Sequence, residues 1–365
     1  MSFLDNITKL FNSKVEEGKI LGVDIGSSSI KIVQLSLKKG VAVLDTFGEI
    51  SLAVYANKEV GKPVNLSEDK YVEALKDLMK ESQVDATSAC FAIPLKSTLM
   101  FNLKLPKTIE KSKLNDVVMV EARKYIPVPI TEVQLDWSVI PATSRQQEQS
   151  DHYDILVVAI HKETINKYAN IATNTGLTLK FLEIETFATI RSVVKHERNT
   201  TAIVDIGSSI TKFYIVEKGV VKKSHVINIG YTKSLKESEA TPENPEEKVS
   251  VGSGVSGNAA KLLRETIVDG NSIPLDITRI ISNVKKAILE YQRDTKSDVP
   301  EVVFTGGGSL FDHIISYVEK ELSVKVLKAD PFSKVQSPAF LDDALRDAGP
   351  EFAVAIGIAL RGLRL

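Results

Sequence analysis

A two-domain α/β protein built around an internal duplication is the fold class the sequence predicts, and three observations predict it. The stretch LGVDIGSSSIK, Leu21–Lys31, returns as AIVDIGSSITK, Ala202–Lys212, with the Asp, the Gly, two Ser and the Lys at identical offsets. A third stretch, EVVFTGGGSLFDHIISYVEKEL, Glu301–Leu322, runs as strand, glycine-rich turn and amphipathic helix. The chain has 365 residues, enough to bury a sizeable core in two or more domains.

The elements follow in order. Residues 1–18 place Phe3, Leu4, Ile7, Leu10 and Phe11 on one helical face. This amphipathic tail either docks on a partner or membrane surface or packs on its own domain. In each duplicated stretch a β-branched strand enters a Gly–Ser turn, and a second strand, IKIVQLSL or TKFYIVEK, leads out, which makes two β-hairpins. Such a turn suits phosphate. Gly26 and Gly207 let backbone N–H groups approach an anion, Ser27, Ser28, Ser29, Ser208 and Ser209 add donors, and Lys31 and Lys212 add positive charge. Asp24 and Asp205, at the strand ends, are suited to hold water around a magnesium ion that bridges phosphates. A pair of ordinary hairpin turns would account for the Gly and Ser but not for two matching acids and bases. Gly306, Gly307 and Gly308 leave room for a base or ribose beside a helix N-terminus. Residues 236–256, rich in acids, Pro, Gly and Ser, read as a mobile surface loop.

Composition narrows the function classes. A net charge of −1 offers no basic field for nucleic acid. The single Cys90, within SACFAI, excludes a disulfide framework and reads as a buried strand residue. No apolar run reaches the ~18 residues of a membrane helix, and no signal peptide is visible, so a cytoplasmic protein is expected. The five His are scattered without metal-ligand spacing.

Taken together, DIGSSSIK, DIGSSITK and FTGGGSLF resemble the two phosphate motifs and the adenosine motif of the actin-like ATPase superfamily, which includes actin and sugar kinases. FLEIETFATIRSVV, Phe181–Val194, resembles the connecting helix whose acid positions the attacking water in that superfamily. Glu185 is the matching acid and Glu183 the second candidate; a solvated helix-start carboxylate is the plain alternative for Glu185. FAIPLKSTLMFNLKLPKTIEKSKLNDVVMVEARKYIPVPITEVQLDWSVI, Phe91–Ile140, resembles the inserted subdomain of the PilM family of type IV pilus assembly proteins, as do KADPFSKVQ and AVAIGIALRGL near the C-terminus. The division protein FtsA is a relative with the same kind of insertion.

The resemblance implies an actin-like, ribonuclease H-like two-domain ATPase fold with an FtsA/PilM-type inserted subdomain. It divides the chain into the 1–18 tail, subdomain 1A (19–87, 163–198 and 350–365), the inserted subdomain 1C (88–162), subdomain 2A (199–230 and 299–349) and subdomain 2B (231–298). It implies ATP and Mg2+ as ligands, with Asp205 and Glu185 in catalytic roles and at most slow hydrolysis. On GNAAKLLRETI, where relatives carry a Glu and a Lys against adenosine, Lys261 and Arg264 are the residues that align. Where the second small subdomain usually begins with a Gly–Gly pair, this chain has NIGYTKS.

The implied function is that of an adaptor on the cytoplasmic side of the pilus inner-membrane assembly complex. It would grip the N-terminal peptide of a PilN-like membrane protein in a groove of the inserted subdomain. SACFAI and TLMFNLKL read as sheet edges of that subdomain and EKSKLNDVVMVEARKYI as one amphipathic helix, and an extended peptide could add along such an edge or lie beside that helix. Most of Val117, Val118, Val120, Ala122 and Tyr125 are expected to close its core. An FtsA-like filament-forming protein that self-associates, and a true phosphotransferase or ATPase, are the alternatives.

Overall fold

The computed structural model describes residues 18–58, 60–141, 150–195, 200–231, 249–251, 275–310 and 312–363. Most of the expected tail, most of the 236–256 loop, and both Lys261 and Arg264 lie outside the described residues.

The first half opens with an antiparallel meander of β1 (Lys19–Ile25), β2 (Ser29–Lys38) and β3 (Val41–Ser51). Helix α1 (Glu68–Glu81) leads to β4 (Ser88–Ile93), parallel to β1. The chain then leaves the sheet for β5 (Thr98–Pro106), α2 (Leu114–Ala122), β6 (Val133–Val139) and β7 (His152–His161), whose strands form a separate 3-stranded antiparallel sheet in the order β5-β7-β6. It returns through α3 (Lys162–Asn174) to β8 (Thr178–Ile184), parallel to β4, and α4 (Glu185–Val193). The second half repeats the plan with β9 (Thr200–Ile206), β10 (Thr211–Glu217), β11 (Val220–Ile227), a short β12 (Val249–Val251), α5 (Leu275–Thr295), β13 (Glu301–Thr305), α6 (Asp312–Leu322) and β14 (Lys325–Lys328). Helices α7 (Asp342–Ala348) and α8 (Ala353–Gly362) close the chain.

The sheet orders are β12-β3-β2-β1-β4-β8 and β11-β10-β9-β13-β14. With the inserted sheet and the added β12 set aside, both read third, second, first, fourth, fifth, so the duplicated motif marks a duplicated sheet. Residues 249–251, expected within a mobile loop, instead extend the first sheet along β3.

Two expected boundaries need correction. SACFAI is not an edge of the inserted sheet: it is β4, hydrogen-bonded between β1 and β8, with Cys90 and Phe91 fully buried. A strand flanked and covered on both faces reads as a continuous apolar run, and this one does. The inserted sheet therefore begins at Thr98 rather than 88. Nor does the second half extend to 349. From Pro331 onward the chain packs on the first sheet, where Phe332, Val335 and Leu345 join Val33, Leu35 and Leu44 in one core. Phe47 stands edge-on to Phe332 at 5.2 Å and to Phe352 at 5.3 Å, and Gln336 exchanges backbone bonds with Ala42 and Leu44. In the inserted subdomain Val118 and Ala122 close the core as expected, whereas Val120 and Tyr125 are exposed.

Helices α4 and α8 cross against the first sheet, where Ala188, Ala355 and Ile358 share a core with Val33 and Cys90. A Cβ on Gly357 would overlap the Ala188 carbonyl, so the backbones touch. A buried charge cluster locks the crossing: Arg191 donates to both carboxylate oxygens of Glu183 at 2.8 Å and to the Gly357 carbonyl at 2.9 Å. Arg361, 1% exposed, donates to Glu183 at 2.6 Å and lies 4.4 Å from the centre of the Phe181 ring. Glu183 is thus fully committed to structure, which removes it as a water-positioning candidate. Among the described residues no helix is long and apolar enough to cross a membrane.

Two outcomes follow for stability. Glu183→Gln leaves two arginines without their shared anion and is expected to cost about 3–5 kcal/mol. Gly357→Ala, which forces the helices apart, is expected to cost about 1–3 kcal/mol. Both are read from the urea midpoint at unchanged slope; a midpoint like that of the parent for Glu183→Gln would mean that the crossing is held by packing alone.

Candidate functional site

The repeated acid-turn-base stretch has a simple geometry. In the antiparallel register Asp24 faces Lys31 across β1 and β2, and Asp205 faces Lys212 across β9 and β10. Directly opposed residues of opposite charge stabilise a ladder, so the spacing first of all places a cross-strand pair at the end of each hairpin. Both hairpin turns point into one cleft between the halves, lined also by Pro94, Lys96, Glu185, Tyr231, Gly306 and Gly307. They touch there: Ser27 Oγ lies 2.6 Å from Ser208 Oγ and 3.0 Å from Ser209 Oγ.

The hairpins are not electrostatically equivalent. Lys212 Nζ sits 2.8 Å from Asp205 and 2.7 Å from Glu185, all three nearly buried. Burial pulls its ammonium down, but Asp205 and Glu185 outweigh that and hold its pKa well above the usual lysine range. Lys31 turns away from Asp24 to Glu49 at 2.7 Å, with Glu351 at 3.8 Å, and donates to the Ser29 hydroxyl at 2.7 Å. Asp24 consequently has no ion pair among the described residues. Burial, and then the charge of Glu185, push its carboxyl up to about 7.

Several expected roles change. Lys31 and Lys212 line the cleft, but each is already engaged by two carboxylates rather than offered to phosphate. The N–H groups of Gly26 and Gly207 close the turns onto Ser29 and Ile210 at 2.9 and 3.0 Å, so these two N–H groups are engaged within their own turns. Glu185 is not a solvated helix-start acid: it is buried, its Oε1 accepts from the Leu95 N–H at 2.6 Å and its Oε2 from Lys212 at 2.7 Å. Gly306 has a φ of 80°, which glycine adopts freely, and its N–H and the Thr305 hydroxyl both donate to the Pro350 carbonyl, at 2.9 and 2.8 Å. Gly307 faces the Tyr231 ring, whereas Gly308 packs on Ile206 and does not line the cleft.

Three cleft residues, Glu351, Tyr231 and Lys96, and Glu49 beside Lys31 escaped sequence reasoning. Glu49 lies opposite Lys31 on the next strand, a pairing that becomes visible only with the register. Glu351 arrives from the far end of the chain. Tyr231 occupies NIGY where a Gly was expected, and Lys96 follows β4 directly, so both had local signals.

The residues present fit a nucleotide carrying its own metal better than a bare ion. Among the described residues no three acidic, His or Cys side chains stand close enough to cage a metal. Magnesium, however, keeps several waters and is typically held by one or two carboxylates together with phosphates. Asp24, half-buried in the cleft and without an ion pair among the described residues, suits such an ion; Asp205, already paired to Lys212, suits it less.

A chain of a PilM–PilN type IV pilus biogenesis complex has the same fold, with a TM-score of 0.73 at 20% identity, covering 96% of this chain and 99% of that one. The ethanolamine utilization protein EutJ from Carboxydothermus hydrogenoformans aligns over 98% of this chain and 96% of its own at 14% identity and a TM-score of 0.49. The profile of the family described as type IV pilus assembly protein PilM matches residues 22–223 and 276–363, the greater part of both halves and the whole inserted sheet. Because that profile spans well over half of the sequence, this chain belongs to the PilM family of type IV pilus assembly proteins.

Proposed function

We propose that the protein is a nucleotide-binding adaptor of type IV pilus assembly, which holds Mg-ATP in the cleft between its halves and binds the N-terminal cytoplasmic peptide of a PilN-like inner-membrane protein on its inserted subdomain. The observation that carries the reading is the pair of Gly–Ser hairpins meeting tip to tip, Ser27 on Ser208 and Ser209, within the fold of this family. Hydroxyls that bond each other across the cleft are the groups a phosphate chain would separate and then accept from. Magnesium bound with the nucleotide would supply charge neutralisation for the phosphates, next to Asp24.

Slow turnover is the expected chemistry. A water-positioning acid accepts the water's proton on a lone pair, and each hydrogen bond that the carboxylate already accepts leaves it fewer lone pairs and less basicity. Both oxygens of Glu185 are engaged, one by the Leu95 N–H and one by Lys212. Asp205 is engaged by the same lysine. The site is thus arranged to hold a nucleotide rather than to consume it.

For the partner, β5 and β6 each pair only with β7 among the described strands, so each has an outer edge. Leu99 on β5, Val139 on β6, and Val120 and Tyr125 on and just beyond α2 are exposed, and Tyr125 stacks on Phe101 at 4.9 Å. An extended peptide that adds to such an edge gains backbone hydrogen bonds, with apolar side chains alternating onto the exposed patch. Attachment through that peptide would place the protein at the cytoplasmic face of the inner membrane.

Three measurements test these statements. Mg-ATP at ~100 times its dissociation constant should stabilise the protein by about 2.7 kcal/mol, whereas Mg2+ alone should leave the thermal midpoint unmoved; a shift with Mg2+ alone would point to a standing metal site. Asp24→Asn removes a half-buried charge that has no ion pair and should raise the midpoint of the nucleotide-free protein while diminishing the Mg-ATP shift. A labelled N-terminal peptide of the PilN-like protein should bind with micromolar affinity by fluorescence anisotropy and change affinity with Mg-ATP. No binding in either state would sink the adaptor reading.

A further inference from the structure

We propose that Lys96 is the cation that recognises the terminal phosphate of a nucleoside triphosphate in this cleft, and that the turn carrying it relays occupancy to the inserted sheet. The proposal rests on the nucleotide-binding reading and identifies the residue that distinguishes triphosphate from diphosphate. Its starting point is charge. The cleft is lined by the carboxylates Asp24, Glu185, Asp205 and Glu351 and by the ammoniums Lys31, Lys96 and Lys212. Two of those ammoniums are committed, Lys31 to Glu49 and Glu351 and Lys212 to Asp205 and Glu185. Asp24 adds a further acid, so a triphosphate entering without help meets net repulsion. Lys96 is the lysine on the cleft wall that is exposed and forms no ion pair among the described residues. Its charge can meet a phosphate without first breaking a buried pair.

The backbone beneath it is held. Leu95 is buried, and its N–H donates to Glu185 at 2.6 Å. Ser97 N–H and the Thr98 hydroxyl both donate to the Pro94 carbonyl, at 3.0 and 3.3 Å. The short helical turn Leu95–Ser97 is also the direct link from β4, an interior strand of the first sheet, to β5, an edge strand of the inserted sheet. A flexible side chain on an anchored turn gives a cation of defined reach. Force on that cation is delivered to the first residues of β5, the strand whose outer edge and Leu99 are offered to a partner.

The test measures dissociation constants of Mg-ATP and Mg-ADP for the parent, Lys96→Gln and Lys96→Arg, together with amide hydrogen exchange of Thr98–Pro106 at saturating nucleotide. Lys96→Gln is expected to weaken ATP about tenfold, the scale of a charge-assisted hydrogen bond, to change ADP less than about twofold, and to lower the salt dependence of ATP binding. Lys96→Arg should recover most of the ATP affinity. ATP should alter exchange in β5 of the parent and not in Lys96→Gln. Because Lys96 is exposed, the unliganded thermal midpoint should not move. Equal ATP affinity in parent and Lys96→Gln would overturn the recognition, and equal exchange changes in β5 would overturn the relay. A parent that binds no nucleotide would instead overturn the nucleotide reading, and this proposal with it.

Discussion

A single buried ammonium, Lys212, organises the centre of this molecule. It reaches from the second half to Asp205 on its own hairpin and to Glu185 at the first turn of α4, which the first half supplies. Two acids buried side by side would repel, and each would be costly without a counterion. The lysine makes that juxtaposition stable and in doing so fixes the distance between the halves at the floor of the cleft. Removing one partner of such a triad leaves uncompensated charge, so the three residues act as a unit. Through Glu185 the unit also reaches Leu95, which ties the turn into the inserted sheet to the same charge.

The duplicated architecture was legible because it is written in local patterns. An acid and a base at fixed offset across a Gly–Ser turn can only be a hairpin with a cross-strand pair, and finding it twice predicts two like sheets. The asymmetry between the hairpins was not legible. It depends on Glu49 and Glu351, which reach Lys31 through register and through the return of the C-terminal segment, and neither is a property of the hairpin sequence. SACFAI was misread for a related reason. A short apolar run does not say which strands will flank it, and β4 is defined by β1 before it and β8 far after it. The second-half boundary failed because KADPFSKVQ follows β14 directly in sequence, while its Phe332 finds its aromatic partners, Phe47 and Phe352, on the first half.

Helix α4 concentrates two demands in one short element. Its first residue, Glu185, faces the cleft, and Arg191 in its last turn faces the crossing with α8. An acid at the N-terminus and a cation near the C-terminus both suit the helix dipole, so local and tertiary electrostatics agree. The helix whose first residue faces the cleft is therefore also the helix that is locked to α8.

Relative magnitudes decide how the cleft can open. The hairpin tips are joined by hydroxyl contacts from Ser27 to Ser208 and Ser209, each worth on the order of 1 kcal/mol and replaceable by water. The crossing of α4 and α8 holds a buried Glu183 with Arg191 and Arg361, whose disruption costs about 3–5 kcal/mol, and Gly357 leaves no room for the helices to slide. Thermal fluctuation will part the tips long before it shifts the crossing. The halves are also tied at the floor of the cleft, where Lys212 bridges Asp205 and Glu185, so parting the tips leaves them joined there. A phosphate chain bound as proposed would replace the serine contacts, while Lys212 would continue to hold Asp205 and Glu185 together beneath it.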